Sequence, residues 1–177
     1  AMLIYNNSLS VSPITTHIKL NSVSKNLSRK KIINKIISIN NFFKRKLKIK
    51  PKIGVLGLNP HNDELRNKSE EKKIIIPAIN YLRKKRILIQ GPISPDTAFL
   101  DYKKKGFNVL VGMYHDQVLT PFKTIFKFNA INITVGIPFL RISPDHGVGK
   151  DIVKKNKASP KSLLESIKFF KKIDAKT

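Results

Sequence analysis

The sequence contains no cysteine and no tryptophan, and only 11 of its 177 residues are Asp or Glu. The absence of Cys rules out a disulfide scaffold. Apolar runs such as Ile87 to Ile89 or Val109 to Gly112 fall far short of the roughly 20 residues that cross a bilayer, so no membrane span is expected. The first residues, AMLIYNNSLS, carry no basic segment ahead of their short apolar stretch and no secretory-type cleavage pattern, which makes a cytoplasmic protein the expectation. Hydrophobic residues at 41% and charged residues at 26% are near the globular average and exclude wholesale disorder or a fibrous repeat. The length suits one domain or a little more.

The scarcity of acid leaves a formal net charge of +24 from 35 Lys and Arg. Such an excess invites a polyanion as partner. Its distribution argues against a dedicated patch, because residues 1–60 hold 12 basic and no acidic residues, 61–110 hold 11 and 6, and 111–177 hold 12 and 5. Lys outnumbers Arg 29 to 6, and Lys, Ile and Asn together make 69 of the 177 residues. These three share A- and T-rich codons, so genome bias accounts for much of the charge. No aromatic-interleaved basic strand or zinc-finger spacing is present, and nucleic-acid binding is the weaker reading.

Short β-like runs alternate with helical patterns. Val11 to Ile18 reads as a strand with Pro13 near its start. Ser28 to Leu47 reads as a helix capped by Ser28, with Ile32, Ile33, Ile36, Ile37, Phe43 and Leu47 near one stripe. Its basic face suits an anionic membrane or a partner, but the apolar stripe is better read as packing on a sheet. Strands are expected at Ile53 to Leu58, Ile87 to Ile89 (ending at the Gly91-Pro92 turn signal), Val109 to Met113 and Ile131 to Val135. Helices are expected over Ser69 to Lys85, broken or kinked at Pro77, and from Ser159-Pro160 to about Lys172. This alternation predicts an α/β layered domain with a mixed, largely parallel sheet.

Three of the four His follow β-like runs: His17, His61 and His115. Ligands of open α/β sheets bind outside the carboxyl ends of the strands, so imidazoles delivered there can meet. Neutral imidazole suits Zn²⁺, Co²⁺ or a similar ion, and three leave a position open for substrate. The spacings of 44 and 54 residues match no local metal motif, and each His taken singly reads better as a structural histidine. His61 lies in GLNPH, where Pro60 stiffens the loop, and His115 lies in MYHDQ, where Asp116 or Gln117 is placed to hold it. Lys123, Asn132 and Arg141 recur every nine residues in an otherwise apolar stretch. A Lys and an Arg beside buried strands suit a phosphate or carboxylate ligand; the alternative is solvated surface charge.

Taken together, GLNPH, GPISPDTAF, MYHDQ and NITVGIPFLRISPDHG, with TTHIKL around His17, closely resemble the 4-hydroxythreonine-4-phosphate dehydrogenase family of vitamin B6 synthesis, from about Met2 to Lys172. The resemblance implies a fold like that of isocitrate and isopropylmalate dehydrogenases and a homodimer with its active site at the interface. It implies a divalent metal (Zn, Co or Mg) on His17, His61 and His115, one of them donated across the dimer. Substrate contacts map to Lys123, Asn132 and Arg141, and acidic residues lining the same site to Asp96 and Asp116. The implied reaction is NAD- or NADP-dependent oxidation of 4-phosphooxy-threonine to a β-keto acid, which loses CO₂ to give an amino-ketone phosphate that feeds pyridoxal phosphate synthesis. No GxGxxG is present, and the family instead implies a cofactor loop at Asp145, His146 and Gly147, with Asp151 beyond it.

Two departures bear on this. After GLNPH the family usually has a glycine-containing acidic loop, whereas this chain reads Asn62-Asp63-Glu64-Leu65, and after His146-Gly147 it reads Val148-Gly149-Lys150-Asp151 in place of a small polar and apolar run. The chain also enters the family pattern midway, without the N-terminal portion and its substrate-contacting His-Thr pair. It therefore reads as the C-terminal part of a two-domain dehydrogenase. The competing expectations are a remnant that folds and binds metal without turnover, and a basic nucleic-acid-binding protein.

Overall fold

A computed structural model describes residues 1–146, 152, 155 and 157–174. Seven strands form one sheet in the order β4-β3-β5-β2-β1-β6-β7. They are β1 (Met2–Tyr5), β2 (Ser10–Pro13), β3 (Ile53–Leu56), β4 (Ile89–Ile93), β5 (Val109–Gly112), β6 (Ile131–Thr134) and β7 (Arg141–Pro144). Strands β4, β3, β5 and β2 run parallel, whereas β1 pairs antiparallel with both β2 and β6, and β6 antiparallel with β7. The helices are α1 (Val23–Asn26), α2 (Arg29–Phe42), α3 (Ile76–Lys84), α4 (Pro95–Ala98), α5 (His115–Phe126) and α6 (Lys161–Asp174).

Side chains alternate across the sheet and build a core on each side. Leu3, Ile53, Val55, Val109, Val111, Ile131 and Ile133 pack with Ile32, Ile36 and Ile39 of α2, Ile79 and Leu82 of α3, and Phe169 of α6. Ile4, Val11, Leu56 and Leu110 face the other way, onto Ala98 of α4 and Val118, Leu119 and Phe122 of α5. This is the expected α/β/α layering. Ser28 caps α2 through its side chain, which accepts from the Lys31 N–H, and the helix ends in a wide turn at Phe43–Leu47.

Some elements differ from the sequence expectation. The strand expected over Val11 to Ile18 stops at Pro13, and the chain turns out of the sheet so that His17 is exposed. Gly91 and Pro92, expected to end a strand, lie inside β4, joined by a cis peptide bond. Pro77 divides the expected 69–85 helix, which becomes a wide turn at Glu71–Ile75 followed by α3. Helix α5 carries Pro121 in its interior, a residue that discourages helix; burial of Val118, Leu119 and Phe122 overrides that propensity. No helix among the described residues is long and apolar enough to cross a membrane.

Candidate active site

The carboxyl ends of the four parallel strands share one edge, and they deliver the candidate residues. Pro13 of β2 leads into His17, Leu56 of β3 into His61, Ile93 of β4 into Asp96, and Gly112 of β5 into His115 and Asp116. Because β2 and β5 are neighbours, His17 and His115 meet, with ring centroids 5.4 Å apart. His115 Nδ1 lies 2.7 Å from Asp116 Oδ1. A carboxylate there accepts the Nδ1 proton and leaves the lone pair on Nε2.

His61 stands one strand further along, in a cavity of about 250 Å³ that it lines with Leu58, Pro60, Pro95, Asp96, Tyr114 and Gln117. The Ser94 hydroxyl, and to a smaller degree His61, hold the Asp96 carboxyl below its usual range. The turn carrying His61 is unusual: His61 to Leu65 all have positive φ, from 47° to 58°. Five successive non-glycine residues in this region are strained.

Two clamps hold these ends together. Gln117 Oε1 accepts the Met113 N–H at 2.7 Å, and its Nε2 donates to the Gly57 carbonyl at 2.8 Å, tying β5 to β3. A Cβ on Gly112 would come within 2.8 Å of that same Oε1, so glycine is what lets Gln117 fold back. The second clamp is acidic. Glu71 Oε1 accepts the N–H groups of Leu58 and Asn59, both at 2.8 Å, while Glu70 Oε2 accepts Asn59 Nδ2 at 3.0 Å and Glu70 Oε1 accepts the Ser24 hydroxyl. The Ser24 bond is the chief reason that Glu70 titrates below its usual range.

Lys123 on α5, Asn132 on β6 and Arg141 on β7 line the α5 side of the β6–β7 ribbon, and the carboxyl end of β6, where Arg141 stands, is on the same edge of the sheet as the histidines. Arg141 pairs with Thr134 at the carboxyl end of β6, its Nη1 donating to Thr134 Oγ1 at 3.2 Å. Asn132 lies midway along β6, between Ile4 and Ser143. Lys123 lies about 12 Å along α5 from His115 at 1.5 Å per residue. Its ammonium donates to the Asp145 carbonyl at 2.7 Å and sits 2.6 Å from Asp145 Oδ2. Burial pushes the Asp145 carboxyl above its usual range, while Lys123 pulls it back down. The Asp145 N–H donates to Ser162 Oγ at 2.7 Å, and His146 next to it is exposed. Gly147 and Asp151 lie outside the described residues.

The sequence pattern overlooked Glu70, Glu71, Ser24 and Lys35. The Lys35 ammonium donates to the Pro13 carbonyl at 3.0 Å, just before the His17 loop, and burial lowers its pKa. Each belongs to a run that looks like solvated helix surface, and the partners are remote in sequence. No local signal marks them.

The imidazole donors suit a divalent metal, and His17 with His115 supplies two of them side by side. Among the described residues no group of three His, Cys, Asp or Glu lies close enough to hold one ion.

The Sulfurihydrogenibium sp. 4-hydroxythreonine-4-phosphate dehydrogenase is 49% identical over 171 residues, which cover 96% of this chain and 52% of the relative. The D-threonate 4-phosphate dehydrogenase of Salmonella typhimurium is 39% identical over 172 residues, covering 96% and 52%. The 4-hydroxythreonine-4-phosphate dehydrogenase crystal structure from Klebsiella pneumoniae superposes with a TM-score of 0.83 at 36% identity, over 97% of this chain and 53% of that one. The chain spans about half the length of the relatives it matches. A family model, that of the pyridoxal phosphate biosynthetic protein PdxA, matches residues 1–170, and with these likenesses the chain belongs to that family.

Proposed function

We propose that this chain supplies the metal- and substrate-binding part of an NAD(P)-dependent dehydrogenase that oxidises 4-hydroxythreonine 4-phosphate in pyridoxal phosphate synthesis. The observation that carries the reading is the meeting of His17 and His115 at the carboxyl ends of neighbouring parallel strands, 5.4 Å apart and backed by Asp116. His17, His61 and His115 would hold a divalent ion such as Zn²⁺, Co²⁺ or Mg²⁺. Because the three do not close into one ligand set within a chain, the reading includes a homodimer in which one of them crosses the interface.

When bound, the metal polarises the substrate's secondary hydroxyl and NAD or NADP takes the hydride. The remaining work falls to the chain. Arg141, exposed at the same edge, suits the phosphate through its paired N–H groups, and Asn132 the polar part of the substrate. Lys123 is read as a further substrate contact, its ammonium held by Asp145, and the cofactor is assigned to the Asp145-His146-Gly147 stretch with Asp151. Asp116 keeps the proton on His115 Nδ1. Asp96, beside His61 in the same cavity and with its carboxyl held below its usual range chiefly by Ser94, orients a polar donor of the substrate. In the overall change the alcohol carbon gives up a hydride and the hydroxyl its proton. The resulting β-keto acid loses CO₂, and the carbon left behind takes up a proton, giving 3-amino-2-oxopropyl phosphate.

Incubation of the chain with 4-hydroxythreonine 4-phosphate and NAD⁺ or NADP⁺ tests this by NAD(P)H formation, with D-threonate 4-phosphate as a parallel substrate. The expected result is turnover that a chelator abolishes, with the complementary half of a relative added in trans if needed. No turnover under any of these conditions would overturn it. A second reading is a folded protein that binds metal at the neighbouring His17 and His115 without chemistry. Metal uptake without turnover even in the presence of the complementary half identifies that case.

A further inference from the structure

Among the described residues only two carboxylates are buried: Asp145, which has Lys123 as its cation, and Glu71, which has no exposure at all and accepts only from amides. Burying a carboxylate without a cation is costly. Glu71 stands at the head of the wide turn before α3, yet its side chain reaches back over the end of β3. Oε1 takes the N–H groups of Leu58 and Asn59, and Oε2 takes Asn59 Nδ2 at 3.1 Å. Gly57 makes the approach possible, since a Cβ there would lie 3.1 Å from Glu71 Oε1 and 2.0 Å from Asn62 Oδ1.

The two amides that Glu71 fixes come directly before Pro60 and His61. From there the backbone enters the strained left-handed turn. A segment of five strained residues persists only where its surroundings over-determine it, and its upstream boundary is held by Glu71. The ring of Pro60 then carries the constraint to His61 with one soft dihedral removed.

We infer that Glu71 is a positioning residue for His61, clamping the Leu58–Asn59 backbone so that the left-handed turn presents this imidazole at the carboxyl edge. The inference rests on the proposed role of His61 as a metal ligand, but its first readout does not need the metal. In the metal-free chain, the ring Cε1–H resonances of the four histidines are recorded for wild type, Glu71→Gln and Glu71→Met, followed by Co²⁺ titration of each in visible absorbance. Glu71→Gln keeps one oxygen for the two N–H groups but turns an NH₂ toward Asn59 Nδ2; Glu71→Met fills the volume without an acceptor.

The expected result is a shifted or broadened His61 resonance with the His146 resonance in place, small in Glu71→Gln and larger in Glu71→Met, and Co²⁺ affinity lower by at least about tenfold in the latter. If Glu71→Met does not fold, Glu71→Gln decides, and a His61 resonance identical to wild type there overturns the inference. Unchanged resonance and unchanged affinity in folded Glu71→Met likewise overturn it. Wild type that takes up no Co²⁺ removes the metal-site reading, while the His61 resonance still tests the positioning role.

Discussion

The left-handed turn at His61–Leu65 concentrates conformational strain in a few residues beside a proposed ligand. Glu64, at φ 47°, is exposed, and its contact is with Arg66 at 3.3 Å. An exposed pair of this kind contributes little, whereas a left-handed non-glycine residue costs about 1–2 kcal/mol. Glu64→Gly is therefore expected to stabilise the chain and raise Tm by roughly 2 °C in calorimetry, after the extra chain entropy of glycine is subtracted. At Gly57 the expectation has the opposite sign. Gly57→Ala drives a methyl into Asn62 Oδ1 and toward Glu71, and is expected to cost about 1–3 kcal/mol in urea unfolding. The sequence shows the histidines at the ends of β-like runs. It does not show that Glu71, one acid in an EEKK run, turns inward, because its partners are backbone amides more than ten residues away.

At the scale of elements, two polar clamps tie the loops at the carboxyl ends of β3 and β5. Gln117→Ala removes both hydrogen bonds between the β3 and β5 ends and leaves the Met113 N–H and Gly57 C=O without a partner. A loss of about 1–3 kcal/mol in denaturant unfolding is expected. The Glu70 clamp, which links α1 to the GLNPH loop through Ser24 and Asn59, carries a pH signature. Its folded pKa is lowered from 4.5, so its ionised form stabilises the fold above that value and the contribution is lost as pH falls below it. The Tm difference between wild type and Glu70→Gln is expected to stay constant from pH 6 to 8 and to shrink below about pH 4.5. The strands β3, β5 and β6 were legible from apolar runs and α2 from its stripe and cap. Strand β1, strand β7 and helix α5 were not: the two four-residue strands acquire their structure from pairing with β6, and α5, which carries Pro121, from burial against the sheet.

For the whole molecule the dominant feature remains +24. The fold spreads these charges over helices on both faces of the sheet and leaves a short edge where histidines gather. Binding to duplex DNA is expected to be sequence-independent and to vanish between roughly 50 and 200 mM salt, with unchanged strength in a His17→Ala, His61→Ala, His115→Ala variant. The layered architecture followed from alternation of runs. The ion pair of Lys123 with Asp145 did not, because the two residues lie 22 positions apart and meet only once α5 and the β7 end are packed. The most direct test of the account is equilibrium dialysis of Zn²⁺ against the wild-type chain and against His17→Ala, His61→Ala and His115→Ala taken singly. A single site shared by the three histidines gives one ion per chain in the wild type and loss of that ion in each variant; uptake that survives any one of the three substitutions is incompatible with such a site.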